Sequence, residues 1–423
     1  MLTLGSLTLV SGTNLTYGLV STGNTPNSDN YISTGALTLP TSGVVLNLYT
    51  PGTSNPFAAA GVYNLFQYTS LPGVALTNST FSFGTSIAGF NASFGTSAGF
   101  LQLTLAQAGA LATWTNGGAT GNWSLASNWS GTGTLPPQAA GDSATFGATA
   151  PGTVNLDANK TVGGLTFNNA SAFTLSSSNS STLTLDNTGS GVTITATTGS
   201  HAIQTAVAFN YSVTVATASG TQLTIAGNIS EVSGTRSLTK TGSGTLVLSG
   251  TNAYSGGTSI NAGVLEFSSS SSLGTGTTLA LGAAATNGTL RYASGNTADI
   301  SGLTVTLNAG GGTIDTYANN VTFANAIGNS GTGGLTETGT GTLTLAGANT
   351  YTGTTTINNG TLSIGSNANI GPAATAAQLI FTGTGGRLAT SASFGLFNGA
   401  AGTNDRTIAL SGTDGGQRHD LDR

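Results

Sequence analysis

Apolar residues recur at every second position through much of the chain. LTLGSLTLV (2–10), GALTLP (35–40), GVVLNLY (43–49), STLTL (181–185) and GVTITAT (191–197) alternate aliphatic side chains with hydroxyl and other small residues. Successive side chains of a strand point to opposite faces, so this alternation sets one face on a core and the other in water. Clusters of Gly, Asn and Ser separate the segments at short intervals, as tight turns require. No convincing amphipathic helix interrupts them, and the alanine-rich AQAGALA (106–112) reads as a connector. The pattern predicts an all-β chain of many short strands.

One stretch of pattern occurs twice. GTLVLSGTNAYSGGTSINAGVLEF (244–267) returns 97 positions later, without a gap, as GTLTLAGANTYTGTTTINNGTLSI (341–364), with 13 of 24 positions identical. Leu246, Leu248, Ile260 and Leu265 match Leu343, Leu345, Ile357 and Leu362, so the apolar face is kept. Gly250, Asn252, Tyr254, Gly256, Asn261 and Gly263 match Gly347, Asn349, Tyr351, Gly353, Asn358 and Gly360, so the corners are kept. The flanks LTKTGSG (238–244) and LTETGTG (335–341) continue in register. A repeated core face between repeated corners suits a coiled solenoid, in which each rung exposes apolar surface that the next rung buries. At roughly 20–25 residues per rung, one period is expected to hold about four rungs.

The units LTKTGSGTLVLSGTNAYSGGTSINAGVLEF and GGLTETGTGTLTLAGANTYTGTTTINNGTLSI strongly resemble the autotransporter-associated β-strand repeat of bacterial passenger regions and giant surface proteins. The resemblance is specific over 235–275 and 332–371 and becomes a general pattern over 150–234 and 276–331. The Trp-rich TWTNGGATGNWSLASNWSGTGTLPPQAAGDSATFG (113–147) is similar to the stretch that opens many passengers. Residues 1–105 look like the β-rich closing segment of a preceding array, with 106–112 as a linker. The resemblance implies a right-handed parallel β-helix, a solenoid of the pectin-lyase-like type, over 113–423. It implies export and display at the bacterial cell surface, associated with the outer membrane in the full-length protein. The barrel of a complete autotransporter is not among these residues.

Composition narrows the function classes. Only 5% of the 423 residues are charged, against roughly 25% in an ordinary soluble domain, and polarity comes from Thr, Ser and Asn. A net charge of −5 leaves no basic footprint for nucleic acid. With 38% hydrophobic residues in regular pattern, the chain has the material for a packed core. The absence of cysteine removes disulfides and thiolate metal sites. No apolar run approaches the roughly 20 residues that span a bilayer. The opening MLTLGSLTLVSG has no basic n-region and already alternates, so the chain reads as an excerpt lacking its export signal. Seven of the 21 charges fall in the last 19 residues, where GQRHDLDR abandons the pattern after a rung begins at 405–416; a truncated end is expected there.

Few residues offer chemistry. GTSAG (95–99) matches the nucleophile-elbow pattern at Ser97, but the elbow needs a strand-to-helix turn and a histidine base. The only histidines are His201, between two strands, and His419 in the tail. A lyase on a β-helix, as the resemblance implies, would use clustered acids holding calcium and a basic residue. Asp142, Asp157, Asp186, Asp299 and Asp315 are scattered, though stacked rungs could unite Asp299 and Asp315 with Arg291. Trp114, Trp123 and Trp129, all three tryptophans of the chain, offer either a sugar-stacking platform or an aromatic plug on the first rung. Tyr254 and Tyr351, equivalent across the repeat, point to packing, and Asn252 and Asn349 to turn or ladder bonds. DLD (420–422) falls short of a calcium motif, so no metal or cofactor is assigned. The expected role is non-catalytic: structural or adhesive, with surface glycans or host matrix proteins as partners and open rung edges favouring end-to-end self-association.

Overall fold

The computed structural model describes residues 2–18, 32–49, 61–71, 81–83, 90–392 (apart from 98, 108, 148–150, 189, 373–377 and 384) and 407–410. The chain divides into two compact units, Met1–Gly109 and Ala110–Arg423. Both are all-β. Among the described residues the longest helical elements are the 3-10 turns Ser270–Leu273 and Asn367–Ile370, at equivalent places in the two repeats.

In the first four turns of the second unit, successive strands fall on three faces in turn. Ser143–Phe146, Gly152–Asn155 and Lys160–Val162 make one turn, and Gly164–Asn168, Phe173–Ser176 and Thr182–Leu185 the next, each strand pairing parallel with its predecessor one turn back. Stacking yields a ten-stranded sheet, a twelve-stranded sheet and a four-stranded sheet; a second four-stranded sheet follows the twelve-stranded one from Asn320–Phe323 onward. This is a parallel β-solenoid. Twelve strands at about 4.8 Å spacing make a stack roughly 50 Å long. Alternation explains it: Leu183 and Leu185 of Thr182–Leu185 are wholly buried while Thr182 and Thr184, which alternate with them, are partly exposed. One continuous apolar core runs from Ala112 to Leu388 and contains both Leu246 and Leu343.

The sequence repeat and the turn do not have the same length. Leu246 is in register with Leu265, Leu290, Ile314 and Glu337, so four turns consume 91 residues, whereas the repeat is 97. The extra six residues carry the second copy one face further. Leu238–Thr241 and Thr245–Leu248 lie in the ten- and twelve-stranded sheets; their counterparts Leu335–Thr338 and Thr342–Leu345 lie in the twelve-stranded and the second four-stranded sheet. The expected period of about four rungs is therefore corrected to four turns plus one face. Turns vary too much for a whole-number period, from 19 residues between Leu248 and Phe267 to 32 between Leu111 and Ser143.

The first turn of this unit is covered. Trp129–Thr132 adds antiparallel to Leu111–Trp114 at the margin of the ten-stranded sheet. The loop through Asn122 bridges Asn155 on the outermost strand of the twelve-stranded sheet, with Trp123 N donating to Asn155 O at 2.8 Å. Residues 106–112, expected as a linker, include the end of Phe100–Gln107 and the start of Leu111–Trp114. The final charged stretch 411–423 lies outside the described residues.

The first unit also coils. Leu2–Thr8, Ile32–Thr38 and Gly61–Ser70 stack parallel on one face and Asn14–Gly18, Val44–Tyr49 and Phe81–Phe83 on the other. The parallel stack ends in the antiparallel hairpin Phe90–Ser97 and Phe100–Gln107. Its separate core centres on Leu46, Tyr63, Phe66 and Leu103.

Candidate functional site

The three tryptophans converge on the first turn. Trp114 and Trp129 meet edge to face with centroids 5.1 Å apart, and Trp123 lies 4.8 Å from Trp129. Their exposures are 1, 0 and 5% for Trp114, Trp123 and Trp129. Trp123 Nε1 donates to Pro137 O and Trp129 Nε1 to Trp123 O, both at 2.8 Å, so these polar edges are spent inside the fold. Beneath them the aromatic stack continues through Phe146 and Phe167 to His201. Stacking on a sugar needs an open indole face, and the structure gives none of the three. Asp142 closes the same end, accepting from Ala110 N through one carboxylate oxygen and from Gln138 N and Ala139 N through the other.

The nucleophile candidate Ser97 and the histidine His201 belong to different compact units. Ser97 is exposed at the end of Phe90–Ser97, opposite Phe100, and the chain turns into an antiparallel strand where an elbow requires a helix. His201 is buried, with Nδ1 accepting from Phe173 N at 3.1 Å and Nε2 donating to Thr198 O at 2.7 Å. Burial pulls its pKa below the usual histidine value, outweighing the main-chain bonds to Thr198 and Asn169. Nδ1 thus joins two neighbouring turns, and Nε2 fixes the bend that precedes it on its own turn.

Stacking does unite part of the acid–base group. Glu266, Arg291 and Asp315 stand in one column of three consecutive rungs, with Arg291 Nε 2.7 Å from Asp315 Oδ2 and Arg291 Nη1 4.0 Å from Glu266 Oε2. Asp299 is used otherwise, accepting from Ser301 N and Ala324 N. Among the described residues no three metal-ligating side chains come together. A shallow polar groove crosses three turns beside Ser177, Ser181, Gln204, Thr205 and Asn228.

The repeat's own polar residues are structural clamps. Asn252 accepts from Ile229 N at 2.9 Å on the preceding turn and donates to Ser272 O at 2.6 Å on the following one. Asn349 does the same with Ile327 N and Asn369 O. The buried Tyr254 and Tyr351 hydroxyls lie 2.7 Å from Thr258 Oγ1 and Thr355 Oγ1. Thr258 in turn donates to Leu273 O, which leaves Tyr254 as the donor to Thr258. Because the second copy is turned by one face, these identical clamps close different sides of the coil.

Two residues were not foreseen as special. Lys240 and Glu337, equivalent in the repeat, are both wholly buried. The available signal was parity: in LTKTG and LTETG the charged residue stands two positions from an inward leucine and so faces inward itself.

Comparison with known proteins adds one result. No curated protein and no solved structure matches the chain. No described helix is long and apolar enough to cross a membrane. The family model for the passenger-associated-transport-repeat matches residues 238–267 and 335–364, the strands and corners built around Asn252, Tyr254, Asn349 and Tyr351. The chain carries two passenger-associated transport repeats within a parallel β-solenoid, a combination that points to an autotransporter passenger domain secreted to the cell surface.

Proposed function

We propose that the chain is a non-catalytic passenger segment that extends, displays or adheres at the bacterial cell surface. The observation that carries this reading is the single core running unbroken through both repeats, with the chemically able side chains spent on holding turns together. Its outer faces carry Ser, Thr and Asn and almost no charge, a surface suited to hydrogen bonding with surface glycans or host matrix proteins. The tryptophans serve as a plug over the first turn. Strands at the margins of a sheet pair readily with another chain, and end-to-end self-association of copies belongs to this reading.

The test joins activity and adhesion. The purified chain is assayed on polygalacturonate and on simple esters with added calcium, and immobilised chain is probed with glycans and matrix proteins. No turnover above the buffer blank is expected. Turnover that disappears with Ser97→Ala, His201→Ala or Asp315→Ala would overturn the non-catalytic reading. Sedimentation over a concentration series reports the pairing of copies; a monomer throughout would remove that part.

A further inference from the structure

The buried charges at the repeat corners differ in sign while their surroundings do not. In the first copy the Lys240 ammonium donates to the carbonyls of Thr241, Gly242 and Ala262 at 2.7, 2.7 and 3.2 Å. The corner presents main-chain oxygens to the core, and the ammonium supplies their donors. In the second copy Glu337 stands in its place. The backbone is reproduced: Gly263 and Gly360, which close the two corners, have φ of +70° and +69°.

The charged atoms approach the same glycine equally closely. Lys240 Nζ lies 2.9 Å from the point a Cβ would occupy on Gly263, and Glu337 Oε1 lies 2.9 Å from the same point on Gly360. A carboxylate oxygen therefore comes as near to the second corner as the ammonium nitrogen does to the first. Gly341 O and Gly339 O lie 2.7 and 2.9 Å from that point. Both Glu337 oxygens are buried, and no described residue donates to either. Gly341 O also accepts from Thr361 N at 2.9 Å, but the two carboxylate oxygens face these carbonyls without a donor, which is costly for a carboxylate removed from water.

We propose that the Glu337 corner binds a monovalent alkali cation, which does there what the Lys240 ammonium does in the first copy. The charge of the site sets the valence. Glu337 is flanked in register by Ile314 and Ile357, and the neighbouring acid, Asp315, is already held by Arg291 Nε and Tyr317 N. One carboxylate with main-chain carbonyls balances a single positive charge, whereas calcium takes six or more oxygens and usually several carboxylates. Protons compete for the same place, because burial and then the Asp315 charge push the Glu337 carboxyl up to about 8. The cation accordingly binds better as the pH rises past that value.

Thermal unfolding of the whole chain tests this in sodium, potassium or choline chloride at equal ionic strength, at pH 7 and pH 9. Sodium or potassium is expected to raise Tm over choline by about 2–4 °C at pH 9 and by less at pH 7. Glu337→Gln should abolish the difference, and Glu337→Lys, which restores the ammonium, should be indifferent to the cation. Equal responses of wild type and Glu337→Gln, or no cation effect on wild type at pH 9, would overturn the proposal. Should the variants not fold, a wild-type crystal soaked in thallium(I) decides: anomalous density beside Glu337 is expected, and its absence there refutes the site.

Discussion

Leu246 and Glu337 stand in one column of the twelve-stranded sheet, four turns apart, although the sequence counterpart of Leu246 is Leu343 on the next face. Outward neighbours follow the same geometry: Val247 shares its column with Thr338, while its repeat partner Thr344 looks out elsewhere. Spin labels on Val247→Cys and Thr338→Cys should report backbone sites about 19 Å apart, four strand spacings along one face. A pair on Val247→Cys and Thr344→Cys should be measurably longer. Reversal of that order by pulsed dipolar spectroscopy would contradict the offset.

The two buried charges set a pH profile with two limbs. The folded Glu337 holds its proton up to about 8, against an ordinary value of 4.5, so the native state binds the extra proton in that window and stability falls as pH rises through it. Lys240 works in the other sense. Burial lowers its pKa from 10.5 to about 8, the unfolded chain binds the extra proton above that, and stability recovers towards pH 10.5. Urea unfolding in choline buffers should show a minimum near pH 8, with limbs no steeper than about 1.4 kcal/mol per pH unit. Glu337→Gln should flatten the acid limb and Lys240→Met the alkaline one.

The asparagine clamps should be expensive to lose. Asn252→Ala or Asn349→Ala strands a buried N–H on one turn and a carbonyl on another, costing about 2–4 kcal/mol. Hydrogen exchange gives the sharper readout, since the Ile229 amide should lose protection in the first variant and the Ile327 amide in the second. Tyr254→Phe removes only a hydroxyl and should cost about 1 kcal/mol.

The tryptophan plug makes its own prediction. Fluorescence should be blue-shifted, resist acrylamide and stay unchanged on adding soluble glycans, because all three indoles are buried. Trp123→Ala should destabilise the first turn by about 3–5 kcal/mol. Ready quenching in the native state would show that the plug is open.

Much of the fold was legible because alternation and corner residues are local. Leu246, Leu248 and Ile260 declare an inward face, and Asn252 and Gly263 declare corners, whatever the rest of the chain does. The face offset was hidden because a sequence period counts residues and a turn counts geometry, and the loops between strands change length from turn to turn. The tryptophans could not be assigned between platform and plug, since alternation at a first rung does not say what lies over it. Lys240 and Glu337 were readable by parity, yet a charge on an inward position conflicts with the ordinary expectation that charges face water. The corner carbonyls resolve that conflict for the Lys240 ammonium, whereas for the Glu337 carboxylate, an acceptor among acceptors, they sharpen it.

The one-face offset also decides who can hold this molecule. Like-for-like surface motifs from the two copies leave the solenoid on different compass bearings. A two-armed receptor approaching from one side therefore meets one copy of the motif and the flank of the other. Avidity on a flat target gains little from such spacing, because the second arm cannot reach its match. In a fibrous or gel-like surrounding, where contacts arrive from every direction, the same arrangement offers the motif on two sides of the solenoid.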